Sequence, residues 1–147
     1  LENYQDITGQ TGRWQYLPPT PDLSSILLDC AHNVDGVSRL LNSLKQEFPD
    51  ATLHIVFGAV RDKDLSSVIS LIPKSSVMYW CAADIPRAMN VTVLNEIGEK
   101  NGLLGYVFDT VEDAVTSARK RCYNVENRKA IVCGSIFVVG DALKIYS

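Results

Sequence analysis

Two patterns of apolar residues alternate along the chain. Short continuous apolar runs, such as residues 26–28, are typical of strands that are covered on both faces. The longer stretches between them repeat apolar residues every three or four positions, which is helical spacing. The predicted strands are 14–17, 25–29, 53–57, 77–80, 106–108 and 130–133. The predicted helices are 34–48, 65–71, 91–100, 110–121 and 135–143.

This alternation predicts an α/β fold: a Rossmann-like, open and mostly parallel sheet with helices on both faces. The first strand is an exception, because Pro18 and Pro19 follow it directly. Proline cannot donate a hydrogen bond to a sheet, so we expect an N-terminal edge strand. Asn33 is the predicted N-cap of the first helix, and Thr110 that of the helix after residue 108.

The length of 147 residues fits one domain. Residues 1–12 are polar, contain Gly9 and Gly12, and are predicted to be a linker or arm, which leaves 13–147 as the domain. The net charge of −3 argues against nucleic acid as a partner. No apolar stretch approaches the ~20 residues of a membrane span.

The four cysteines show no paired spacing that would indicate a metal site or a disulfide framework. We therefore expect reduced thiols in a cytoplasmic protein, with no metal bound by this chain.

Polar clusters follow several predicted strands. Asp29-Cys30-Ala31-His32-Asn33 follows the second, 58–64 the third, 84–87 the fourth and Gly134-Ser135 the last. Ligands of open α/β sheets bind at the carboxyl ends of the strands. This edge of the sheet is therefore the predicted site.

Each of these residues also has a purely structural interpretation. Asp29 could contact a ribose, a cation or an amine, or only cap the following helix. His32 lies in a polar loop and is the better candidate for a ligand contact. His54 lies inside an apolar strand and suits a core or face position in which the polar groups of its ring are satisfied. Ser135 suits an anion at a helix N-terminus, but a simple N-cap is the favoured interpretation when that residue is taken alone.

Basic residues add to the same edge, although loop charges are usually only solvated. They are Arg61, Lys63 and Arg87. The sequence contains neither G-x-G-x-x-G nor G-x-x-x-x-G-K-[ST], so it encodes no phosphate-binding loop of these kinds.

Three segments resemble folylpolyglutamate and dihydrofolate synthases. Residues 29–36 resemble D-G-A-H-N-P-x-G, residues 57–64 resemble F-G-A-x-x-D-K-D, and residues 132–140 resemble v-x-G-S-l-y-l-v-G. Gly12-Arg13-Trp14 and Pro86-Arg87-Ala88 are similar to two shorter elements of the family. Cys30 stands where the family has Gly and Val34 where it has Pro, and we expect small adjustments of the turn.

The resemblance implies the C-terminal domain of an ATP-dependent ligase that joins L-glutamate to folates through an acyl phosphate. ATP and Mg²⁺ would be bound mainly by an N-terminal ATPase domain of the same chain, and the isolated fragment would be inactive. The implied partners are folate or pteroate and L-glutamate, and the implied state is a monomer. Arg13 would reach the terminal phosphate as a catalytic residue, Asp29 the nucleotide, and His32 (also catalytic) and Ser135 the glutamate.

Two other functions remain open. One is a ligase of the same architecture that acts on a peptidoglycan precursor and needs a UDP-linked muramyl substrate. The other is a non-catalytic nucleotide-binding domain, in which substitution of His32 or Ser135 would cause no loss of catalytic activity.

Overall fold

One sheet of six strands, covered by five helices, makes up the part of the chain that the computed structural model describes, residues 14–61 and 64–145. The strands are β1 (Gln15–Leu17), β2 (Ile26–Leu28), β3 (Thr52–Phe57), β4 (Val77–Trp80), β5 (Leu104–Val107) and β6 (Arg128–Cys133). The helices are α1 (Val34–Glu47), α2 (Leu65–Ile69), α3 (Val91–Lys100), α4 (Val111–Cys122) and α5 (Ile136–Lys144). The predicted linker, residues 1–12, lies outside the described residues.

The strand order is β1-β2-β6-β3-β4-β5. Every neighbouring pair is parallel except β1 and β2, which are antiparallel. Phe57 is in register with both Cys133 and Trp80, so β3, β6 and β4 end at the same level. The predicted mostly parallel sheet and its N-terminal edge strand are therefore confirmed.

Each face of the sheet has its own apolar core. The core on one face joins α1, α2 and α3 to the sheet through residues such as Leu44, Ile69 and Leu94. The core on the opposite face does the same for α4 and α5, with Val115 and Val139 among its members. Helices therefore cover both faces, as the sequence pattern predicts.

The connection between β1 and β2 is fixed by a buried arginine of α4. Arg119 has no exposed surface, and its guanidinium donates to the carbonyl oxygens of Ser24 at 2.7 Å and Pro18 at 2.6 Å. The backbone N–H of Ser24 donates in return to the carbonyl of Arg119 at 3.2 Å. These bonds attach the edge strand, which begins beside Trp14, to the body of the domain.

The β5 edge departs from the sequence prediction. The pattern places this strand at 106–108, whereas β5 covers Leu104–Val107, and Phe108 follows it. Three of the four β5 residues are exposed, so the strand carries little of the burial signal that marks the central strands. Among the described residues, no helix has both the length and the apolar character to cross a membrane.

Candidate functional site

An open cleft of about 840 Å³ lies at the carboxyl ends of β2 and β6. These two strands are neighbours, and the helices that follow them, α1 and α5, lie on opposite faces of the sheet. Ligand sites in open α/β sheets form where adjacent strands send their connections to opposite faces. The cleft, called here the rim cleft, is lined at this end by residues 29–33 and 134–137 and by Val60 and Arg87.

Asp29 is half-buried in the wall of the rim cleft and accepts two backbone hydrogen bonds. Its Oδ1 accepts the N–H of Ala31 at 2.9 Å, and its Oδ2 accepts the N–H of Trp14 at 3.1 Å. The carboxylate does not cap the first helix, because Asn33 takes that role by accepting the N–H of Gly36 at 2.8 Å. Asp29 therefore fixes the two segments on either side of it.

His32 is exposed in the rim cleft, and its ring is oriented by the backbone. Nδ1 lies 3.1 Å from the carbonyl oxygen of Cys30. A carbonyl oxygen only accepts, so this contact needs the proton on Nδ1. In the neutral ring Nε2 is then left as an acceptor, which is the form that can take a proton from a bound group.

Gly134 brings the β6 loop very close to the other strand ends. Its φ is +112°, and an added Cβ would collide with the carbonyl oxygen of Gly58. Its N–H donates to the carbonyl of Ala31 at 2.8 Å, which joins the β6 loop to the β2 loop. Only glycine accommodates both this conformation and this close contact.

Ser135 is buried at the start of α5 and is the N-cap of that helix. Its Oγ accepts the N–H of Val138 at 3.1 Å. A hydroxyl that accepts one bond can still donate its own proton. Because Ser135 also lines the rim cleft, that proton is available to an acceptor bound there.

The comparisons with known proteins identify the family. A family model described as Mur ligase, glutamate ligase domain, matches residues 12–136. The chain belongs to this family.

Individual relatives of this glutamate ligase domain are folate enzymes. A probable bifunctional folylpolyglutamate synthase/dihydropteroate synthase of Haloferax volcanii is 31% identical over 132 residues, 89% of this chain and 15% of that protein. The dihydrofolate synthase/folylpolyglutamate synthase of Bacillus subtilis is 26% identical over 121 residues, 81% of this chain and 27% of that protein. The match corresponds to the C-terminal part of such synthases.

The solved structures share the fold. The structure of E. coli FolC in complex with ADP, without folate substrate, superposes with a TM-score of 0.77 at 24% identity. The match covers 93% of this chain and 31% of that chain. The domain thus spans less than a third of the length of each of these proteins.

Three of the four site residues predicted from the sequence of the glutamate ligase domain meet in the rim cleft. Asp29, His32 and Ser135 all line it. Arg87, which the sequence indicated less strongly as a site residue, lines it too. Arg13 lies outside the described residues, so its role stays a prediction. The same applies to Lys63.

The sequence did not reveal the second wall of the rim cleft. This wall is one side of α1 together with Trp14, and its polar members are Arg39, Ser43, Gln46 and Glu47. Ser43 lies four positions after Arg39, and Gln46 and Glu47 lie three and four positions after Ser43, so the four share one side of the helix. In the sequence, polar residues with this spacing are typical of any solvent-exposed helix face, so the spacing alone did not mark these four as site residues.

The second histidine of the glutamate ligase domain lies away from the rim cleft. His54 is buried in β3, and its Nδ1 is 2.7 Å from the hydroxyl of Tyr79. Burial, together with the charges of Arg128 and Arg121, lowers the pKa of His54 to about 4. The prediction of a satisfied core position is confirmed.

Burial disfavours the thiolate form of three cysteines in the glutamate ligase domain. Burial raises the pKa of Cys133 to about 12, with a further contribution from Asp29, and that of Cys122 to about 11. Burial also raises the pKa of Cys81. Cys30 is half-buried in the rim cleft.

Proposed function

We propose that this domain is part of an ATP-dependent ligase that adds L-glutamate to a folate or pteroate, and that the rim cleft holds the incoming glutamate. The main structural support for this proposal is that Asp29, His32 and Ser135 line one cleft at the carboxyl ends of neighbouring strands. The family match and the folate-enzyme relatives support the choice of reaction.

The groups in the rim cleft suit an amino acid. The Ser135 hydroxyl can donate to a carboxylate oxygen, and the Arg87 guanidinium adds positive charge on the same rim. The acceptor Nε2 of His32 suits an ammonium or amine proton. Asp29 accepts two hydrogen bonds from backbone N–H groups, and its remaining lone pairs can accept a hydrogen bond from a ribose hydroxyl.

In the proposed reaction, ATP turns the substrate carboxylate into an acyl phosphate, and the glutamate nitrogen forms the new amide bond while phosphate leaves. His32 accepts the proton that the nitrogen must lose before it attacks. Arg13 is proposed to stabilise the charge of the transferred phosphoryl group.

The cofactor requirement divides between this domain and the rest of the enzyme. Within residues 14–61 and 64–145, no group of three or more His, Cys, Asp or Glu side chains could hold a metal ion. We propose that Mg²⁺ and the ATP phosphates are bound mainly by an N-terminal ATPase domain of the same chain, since this domain spans less than a third of the length of its relatives. This fragment alone should then show no ligation of glutamate.

The first test is release of ADP by the full-length enzyme with ATP, Mg²⁺ and L-glutamate. Dihydropteroate, tetrahydrofolate and a UDP-linked muramyl precursor are added in turn. Release that depends on either pterin supports the proposal and shows which step the enzyme performs. Release only with the muramyl precursor moves the function to cell-wall synthesis, and no release with any of the three favours a binding domain.

A further inference from the structure

Two exposed arginines stand directly opposite each other beside the rim cleft. Val60 and Ala88 form an antiparallel bridge outside the main sheet. The hydrogen bonds that flank it run from Arg61 N to Arg87 O at 2.9 Å and from Met89 N to Ala59 O at 2.8 Å. This pattern makes Arg61 and Arg87 the next cross-strand pair after the bridge.

A cross-strand pair of like charges opposes folding. Directly opposite residues of an antiparallel pair project from the same face, with Cβ atoms roughly 4.5–5.5 Å apart, and like charges in this position are destabilising. The chain carries a net charge of −3, so acidic side chains are available that could have balanced them. Among residues 14–61 and 64–145, neither guanidinium forms an ion pair with a carboxylate.

Two acidic side chains of the described chain, those of Asp64 and Asp141, have other partners. Asp64 caps α2, with Oδ1 accepting the N–H of Ser67 and Oδ2 accepting its hydroxyl at 2.7 Å. Asp141 accepts the N–H of Asp84 at 2.9 Å and pairs with Lys144. Neither carboxylate pairs with Arg61 or Arg87, so the positive charge of the two arginines is available to a bound anion.

The position of the pair indicates which anion. Arg87 lines the rim cleft together with His32 and Ser135, the residues proposed to hold glutamate. The planar guanidinium matches a carboxylate with two parallel hydrogen bonds, and two guanidiniums can share one carboxylate. We propose that Arg61 and Arg87 together bind a glutamate carboxylate, either of the incoming amino acid or of the glutamyl chain already on the folate. The identity of this anion rests on the proposed function, whereas the existence of an anion site does not.

The kinetic test uses the full-length enzyme and the variants Arg61→Ala, Arg87→Ala and the double variant, with Lys120→Ala as an exposed cation on α4 for control. We expect the KM for L-glutamate or for the glutamylated folate to rise about tenfold or more in each, while the KM for ATP stays within about twofold. Arg87→Lys should lie between wild type and Arg87→Ala, because lysine keeps the charge but loses the two-bond geometry.

A second measurement does not depend on activity. Glutarate, a dicarboxylate without the amine, should raise the Tm of the wild-type enzyme and have little effect on the double variant. Without ligand, the double variant should melt no lower than wild type, since the like-charge repulsion has been removed.

The two proposals can fail separately. If the enzyme ligates glutamate to a pterin substrate but no carboxylate KM changes in the variants, this inference is wrong and the proposed function stands. A rise confined to the KM for ATP would also overturn it, because the pair would then bind phosphate. If no ligation occurs but the glutarate shift is lost in the double variant, the anion site stands and the proposed function is wrong.

Discussion

The backbone N–H of Trp14 donates across 3.1 Å to Oδ2 of Asp29, at the start of the edge strand. Trp14 has a φ of +53°, an uncommon conformation for a bulky side chain. The second oxygen of the same carboxylate accepts the N–H of Ala31. One side chain therefore holds Trp14, the residue between Arg13 and β1, against the loop that carries His32.

We expect Asp29→Ala to lower both stability and turnover. Losing a charged acceptor of two backbone bonds should cost about 1–3 kcal/mol of unfolding free energy. Turnover of the full-length enzyme should fall more than tenfold, because both flanking segments lose their register. Urea unfolding and steady-state kinetics check the two effects. Asp29→Asn, which keeps one acceptor oxygen, should recover part of the stability.

The split between KM and kcat tells apart the two roles of Asp29. If Asp29 contacts the nucleotide in addition to the backbone, the KM for ATP rises as well. If it mainly positions the two segments, kcat falls together with stability. Wild-type kinetics in both variants would remove Asp29 from the site.

We expect His32→Ala to lower turnover more than tenfold and to leave stability within about 0.5 kcal/mol, since His32 is an exposed loop residue. The matched control is His54→Ala. This change removes the buried partner of the Tyr79 hydroxyl, so it should cost about 1–3 kcal/mol of unfolding free energy while the remaining folded enzyme keeps its turnover. Equal turnover in wild type and His32→Ala would exclude a catalytic histidine at this position.

The central part of the fold could be predicted from the sequence because burial leaves a strong pattern. Strands such as β3 are buried on both faces, so most of their residues are apolar. The helices that cover the sheet bury one face each, so their apolar residues recur with helical periodicity. Placing the site at the strand ends needed only the parallel sheet. Edge strand β5 is largely exposed, and its boundaries were missed for that reason.

Contacts between distant segments could not be predicted in the same way. Arg119 resembles any charged residue of a helix, yet it is fully buried and bonds to Pro18 and Ser24. Arg61 and Arg87 become neighbours only through a single bridge between two loops. Neither a periodic pattern nor a local motif encodes such a contact.

Gly134→Ala tests the close approach of the strand ends. A methyl group there would meet the carbonyl of Gly58, and the residue would keep a positive φ, so we expect a loss of roughly 2–4 kcal/mol. Gly36→Ala is the matched control. It lies in α1 and its Cβ would be 3.1 Å from Oδ1 of Asn33, so the gain in helix propensity offsets a small clash and stability should change by less than about 1 kcal/mol. Similar unfolding midpoints for the two variants would show that Gly134 is not constrained by its neighbours.

The buried histidine predicts a pH dependence of stability that is separate from catalysis. The pKa of His54 falls from 6.5 to about 4 on folding, mainly because burial disfavours the charged ring. Between these values the unfolded chain binds more protons than the folded one, so unfolding free energy falls as pH falls from 6.5 towards 4 and levels off below that range. We expect this histidine to account for about 1–2 kcal/mol, less than the full shift implies, because solvent screens Arg121 and Arg128. His54→Asn removes the titration, and urea unfolding at several pH values should show a smaller slope over this range. An unchanged slope would mean that other groups cause the acid sensitivity.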